Sequence, residues 1–141
     1  MRREDQSTEF KEAYVDDIKK TVVAFANTDG GTVFVGVDDS GRVVGVDDVD
    51  RTILRAQNAL RDAIKPDVTM HVSCSAREVE NKTIIVVEVQ KGTSRPYYLA
   101  DKGIRPAGVY VRQGSSSVPA SEAAILQMIR EADGGSYESA R

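Results

Sequence analysis

Tyr14, Ile18, Val22 and Phe25 recur at spacings of four, four and three, while Asp16, Asp17, Lys19 and Lys20 occupy the rest of the wheel, so the pattern predicts an amphipathic helix. Asn27, Thr28 and Asp29 are poor helix-interior residues, and Gly30 or Gly31 suits the left-handed conformation that closes a helix. The period then changes. Thr32 to Val37 (TVFVGV) is apolar without alternation, which predicts a short strand covered on both faces, and Gly36 within it predicts a bulge or a close approach by another backbone. Asp39-Ser40-Gly41 is turn chemistry, after which Arg42 to Val46 is expected to return as the second strand of a hairpin.

Asp48 or Asp50 is placed to cap a second helix, whose apolar stripe is Ile53, Ala56, Leu60, Ala63 and Ile64 and whose end is set by Pro66. Beyond it, Val68, Met70, Val72 and Cys74 alternate with Thr69, His71, Ser73 and Ser75, the pattern of a half-buried strand with His71 toward solvent. Glu80-Asn81-Lys82 turns the chain into Thr83 to Val89, a buried strand expected to pair antiparallel with its predecessor. Val109 to Arg112 reads as a short strand, Gly114 to Ser117 as a loop, and Ala123 to Ala132 as a helix with Ile125, Met128 and Ile129 on one face. The fold class is α/β of the α+β kind: a mixed, partly antiparallel sheet with about three packed helices. One domain over residues 1–133 is expected, followed by a flexible tail at 134–141 that would begin a linker to a further region.

A length of 141 residues supports one ordinary core, and 40% hydrophobic with 29% charged residues excludes a disordered or membrane-embedded chain. No apolar run approaches the roughly 20 residues of a membrane span and the N-terminal stretch lacks the apolar segment of a signal peptide, so a cytoplasmic location is expected. Cys74 and His71 are each the single residue of their kind, too few for an internal disulfide, a Cys/His zinc site or a histidine-based triad. Gly103 and Gly108 have the glycine spacing of a phosphate-binding loop, but Val109 and Tyr110 stand where Lys and Ser/Thr are required, which argues against P-loop ATP hydrolysis.

The net charge is −3, yet Lys91 to Arg112 contains Lys91, Arg95, Lys102, Arg105 and Arg112 against the single acid Asp101. Such a segment, with Tyr97, Tyr98 and Tyr110 interleaved, suits phosphate neutralisation with a ring stacked on a base; the alternative is that the tyrosines are core residues. Glu4 and Glu9, with Asp38 or Asp39, form a second candidate set, since carboxylates gathered by folding supply oxygen ligands to Mg²⁺ or Mn²⁺. The plainer reading is that the glutamates are solvated and Asp39 opens the turn.

EDQSTEFK (Glu4 to Lys11), AFANTDGG (Ala24 to Gly31), VFVGVDDSGRVVG (Val33 to Gly45), SRPYYL (Ser94 to Leu99) and GVYVRQGSSSVPAS (Gly108 to Ser121) together resemble the Schlafen-type AlbA-like domain of bacterial transcriptional regulators and of the Schlafen core. The resemblance implies an α/β fold and nucleic-acid binding, of DNA before RNA, with no cofactor needed for binding. Lys91, Arg95, Lys102, Arg105 and Arg112 would be the phosphate contacts and Tyr97 the stacking residue. It implies as the alternative a metal-dependent endoribonuclease using Glu4, Glu9 and Asp38 with Mg²⁺ or Mn²⁺, with Lys11 stabilising charge on the phosphate; Asp5 stands where relatives commonly have serine. Because Schlafen cores contain two related lobes, a single lobe is expected to form a homodimer, and a dimerisation module without nucleic-acid binding is the remaining reading.

Overall fold

The computed structural model describes residues 3–139, with side chains from 3 to 133. Strand β1 (Thr8–Lys11) leads through helix α1 (Ile18–Asn27) into β2 (Gly31–Val35), and the two strands pair in parallel, Thr8 opposite Thr32 and Lys11 opposite Val35. Helix α2 (Val49–Ala63) runs into the two-residue β3 (Ile64–Lys65), and a hairpin of β4 (Val72–Val79) and β5 (Lys82–Val89) completes a sheet of order β1-β2-β5-β4. Both newer pairings are antiparallel, so the sheet is mixed. The remaining chain forms β6 (Tyr98–Leu99), which pairs with β3, then the ribbon β7 (Tyr110–Gln113) and β8 (Ser116–Pro119), then helix α3 (Glu122–Ser139).

The expected burial of the central strands on both faces holds. Val33 and Val35 of β2 join Ile85, Val87 and Val89 of β5 against Ile18, Val22 and Phe25 of α1 and Ala56 and Leu60 of α2. On the opposite face Phe10, Ile84 and Val86 pack with Val37 and Val43. Each fully buried side chain of this size contributes roughly 1.5 to 3 kcal/mol relative to exposure, so the sheet is fixed from two sides.

The close approach expected at Gly36 is present: at φ +103° its carbonyl accepts the N–H groups of Val44 and Gly45, and a Cβ there would stand 3.1 Å from the Gly45 backbone. That contact replaces the expected second hairpin strand, because residues 42–46 return as a loop with one bridge, Val37 to Val43. Alternation over 68–75 also begins later than expected. Thr69–His71 is a 3-10 turn that leaves Met70 90% exposed, and His71 is half-buried with its ring edge-on to Tyr97 at 6.4 Å rather than turned to solvent. Ile64 belongs to β3 instead of α2, and the segment expected as a loop at 114–117 is the tight turn of the ribbon and the first half of β8. The backbone of α3 is helical to Ser139; the expected flexibility of 134–141 lies outside the residues described with side chains.

Candidate functional site

Arg112 is the best-connected side chain among the candidates. Its fully buried guanidinium donates from Nη1 to Glu9 Oε1 (2.8 Å) and Ser117 Oγ (3.1 Å), and from Nη2 to the carbonyls of Asp5 and Thr8 (2.9 Å each). It also lies 4.8 Å from the centroid of the Phe25 ring. With both Nη atoms engaged inside the fold and the unpartnered Nε sealed from solvent, the guanidinium is out of a phosphate's reach, so the expected role of Arg112 as a phosphate contact is corrected: it ties β7 to β1. Tyr97 is corrected likewise. At 1% exposure its ring cannot stack on a base, and its hydroxyl accepts the N–H groups of Thr93 and Ser94 at 3.1 Å.

The rest of the basic segment divides. Arg95 donates to the Asn27 carbonyl at 2.8 Å and to Glu131 at 2.6 Å, a fixed position between α1 and α3. Lys91, Lys102 and Arg105 are exposed, as expected. Lys91 adjoins the C-terminal end of α1, where Gly92 N–H donates to the Ala26 carbonyl, whereas Lys102 shares a cleft with Lys19 and Lys20 at its N-terminal turn. A ten-residue helix separates these ends by about 15 Å, so the five cations do not act as one patch.

The carboxylates do not form the expected ligand set. Asp38 Oδ1 accepts the Ser40 hydroxyl (2.7 Å) and the N–H groups of Arg42 (2.9 Å) and Ser40 (3.0 Å), and these bonds, the hydroxyl foremost, hold its carboxyl below the usual range. It is the turn residue that Asp39 was expected to be. Glu4 accepts the Phe10 N–H at 3.0 Å; burial raises its pKa, the charges of Glu9 and Asp39 add to the rise, and the Phe10 bond and Arg112 oppose it. Glu9 is engaged by Arg112 and, at 3.6 Å, by Lys11. Among the described residues no three His, Cys, Asp or Glu side chains are grouped to hold a metal ion, so Glu4, Glu9 and Asp38 do not fit Mg²⁺ or Mn²⁺ as a trio.

A cleft that linear reading missed lies beside this network. Lys11, Lys20, Thr21 and Ser115 to Ser117 line a cavity of about 480 Å³ together with Glu9, Asp17 and Tyr110. Lys20 also borders a neighbouring depression of about 500 Å³ that includes Lys19 and Lys102, so the two adjoin at this residue. The lysines meet acids at 3.5 to 3.6 Å: Lys11 with Glu9 and Asp17, Lys20 with Asp17, Lys19 with Asp16. Partly exposed pairs of this kind contribute about 0 to 1 kcal/mol, so they hold the ammonium groups only weakly, and the acids of the two linings, Asp62 and Asp101 among them, offset the lysines' charge. The serine and threonine hydroxyls add donors of the right reach for phosphate oxygens. No sequence signal joins residues 11, 20 and 115–117; the β1–β2 crossover and the β7–β8 ribbon bring them together.

This fold and the motifs within it define a family. The chain belongs to the family described as Schlafen, AlbA_2, whose model matches residues 4–121. Among solved structures it is similar to the N-terminal domain of a RecG-related protein from Nitrosomonas europaea, with 29% identity, a TM-score of 0.59 and 78% of each chain covered. It also shares its fold with the DIP2311 protein from Corynebacterium diphtheriae, at 23% identity and a TM-score of 0.65 over 89% of this chain. This chain spans about a quarter (24%) of the length of that protein.

Proposed function

We propose that this domain binds nucleic acid, DNA in preference to RNA, as the recognition part of a transcriptional regulator. The observation that carries the proposal is the family match over residues 4–121, supported by the likeness to a domain from a protein named for its relation to an ATP-dependent DNA helicase. The contact surface is the strip Lys11, Lys20, Lys19 and Lys102, extended by the exposed Arg105, whose Nε donates to the Lys102 carbonyl at 2.6 Å. Acids interleave with these lysines, so affinity is expected to be modest and dependent on a phosphate displacing the internal pairs. The nuclease reading has no corresponding observation, since its three carboxylates are not gathered into a ligand set.

Fluorescence anisotropy with duplex DNA, single-stranded DNA and structured RNA across a salt series tests this. If four phosphates are neutralised, the logarithm of the duplex affinity falls against the logarithm of salt with a slope of about −3.6. Lys20→Glu combined with Lys102→Glu is expected to reduce that slope by about 1.8, while Lys91→Glu leaves it unchanged. Binding that ignores the double substitution would remove the strip from the account, and no binding to any of the three polymers at low salt would remove the function.

A further inference from the structure

β4 is an edge strand of eight residues, paired on one side with β5 and on the other with nothing among the described residues. A long edge with an unpaired row of N–H and C=O groups is a template for another strand, and natural domains usually shield it. Here the shield is thin: Ser73, Ser75, Ala76, Arg77 and Glu78 are all exposed. On the helix side of this edge, a groove of about 350 Å³ runs between α2 and the start of β4, bordered by Leu54, Arg61, Val72 and Cys74. Leu54 is 59% exposed and Met70, just before β4, is 90% exposed, so apolar surface flanks the open backbone.

We infer that the β4 edge and the adjoining α2 groove form the interface of a homodimer in which two copies of β4 pair antiparallel about Ser75. The strand sequence is compatible with itself in that register. A two-fold axis perpendicular to the sheet keeps both sheet faces continuous only if residues of like parity oppose each other. Centring the axis on Ser75 opposes Cys74 with Ala76, Ser73 with Arg77 and Val72 with Glu78, so no like charges meet. Centring it on Arg77 would set that cation against its own copy. The Ser75 register also carries Glu78 of the second copy to Val72, at the rim of the groove that holds Arg61, whose pairing with Asp62 is an exposed 3.4 Å contact. Opposite charges therefore meet twice, once on each side of the axis. Backbone pairing supplies the attraction, and the charge pair sets the register.

Sedimentation of the whole chain at tens of micromolar should give twice the mass of one chain, and Glu78→Arg should shift it to monomer. Arg61→Glu added to Glu78→Arg should restore the dimer, a rescue that a merely folding-related defect would not show. In a Cys74→Ser background, Ser75→Cys should cross-link between copies under copper–phenanthroline and air, because directly opposed residues of an antiparallel pair have Cα atoms about 4.5 to 5.5 Å apart, within disulfide range. Ser73→Cys in the same background should not. A monomeric wild type, a dimer indifferent to Glu78→Arg, or cross-linking at 73 instead of 75 would each overturn the inference. Circular dichroism on every variant keeps loss of fold separate from loss of pairing.

Discussion

Asn27→Ala is expected to destabilise the domain by about 3 to 9 kcal/mol, because three buried backbone groups lose their partners and each such loss costs roughly 1 to 3 kcal/mol. The Asn27 side chain is 1% exposed and sits at the end of α1, where Nδ2 donates to the carbonyls of Tyr97 and Tyr110 (2.9 Å each) and Oδ1 accepts the Tyr97 N–H (2.7 Å). One amide thus joins the first helix to two segments 70 and 83 residues further along. Asn27→Asp keeps the acceptor but turns both donors into an anion facing two carbonyls, so it should fare no better than alanine. Urea unfolding followed by circular dichroism is the measurement, and domains of this size have about 5 to 15 kcal/mol to lose. A loss below about 1 kcal/mol would show that water or a rearranged backbone replaces the amide.

The second large effect is expected at Arg112. Arg112→Met should cost about 3 to 5 kcal/mol, since removing one partner of a buried ion pair strands the other. The groups that lose a donor are the Glu9 carboxylate, 12% exposed and then held only by Lys11 at 3.6 Å, and the carbonyls of Asp5 and Thr8, each left with a backbone N–H. Adding Glu9→Gln should recover part of the loss, because a largely buried charge left with only the Lys11 ammonium disappears, while the two carbonyls still go without the Arg112 donor. Arg112→Lys should rescue little: a single ammonium cannot reproduce the two-pronged geometry that serves Glu9, Ser117 and both carbonyls. Unfolding curves for the wild type, Arg112→Met, Glu9→Gln and the double variant give a double-mutant cycle, and additivity within about 0.5 kcal/mol would show that Glu9 and Arg112 are not coupled. Any nucleic-acid affinity lost in Arg112→Met should follow the unfolded fraction, which separates a strut from a phosphate contact.

The elements legible in the chain are those whose burial repeats. The stripe from Ile18 to Phe25, the apolar run at 83–89 and the stripe of α2 each name their own structure, since one face or both meet the core over several turns or pleats. β1 escapes because four residues give only Thr8 and Phe10 on its inner face, too few to show a period. The sites fared worse for a different reason. Charge marked Arg112 as a surface residue, although it shares its strand face with Tyr110 and both are buried, and only a tertiary partner such as Glu9 makes that burial tolerable. In the same way Tyr97 and Arg95 sit in a stretch whose glycines and prolines suggested a projecting arm, whereas hydrogen bonds to Asn27 draw it onto α1. The cleft of Lys11, Lys20 and the serines is assembled from three distant segments, and its lysines carried no signal beyond being the polar side of a helix and the end of a short strand.

The β7–β8 ribbon joins two tasks that lie only a few residues apart. Arg112 at its base is sealed into the body, while Gly114, Ser115 and Ser116 at its tip meet solvent. Substitution at the tip therefore alters the lining of the cleft while the anchor keeps its grip, so this face of the domain is free to drift without a toll on its endurance.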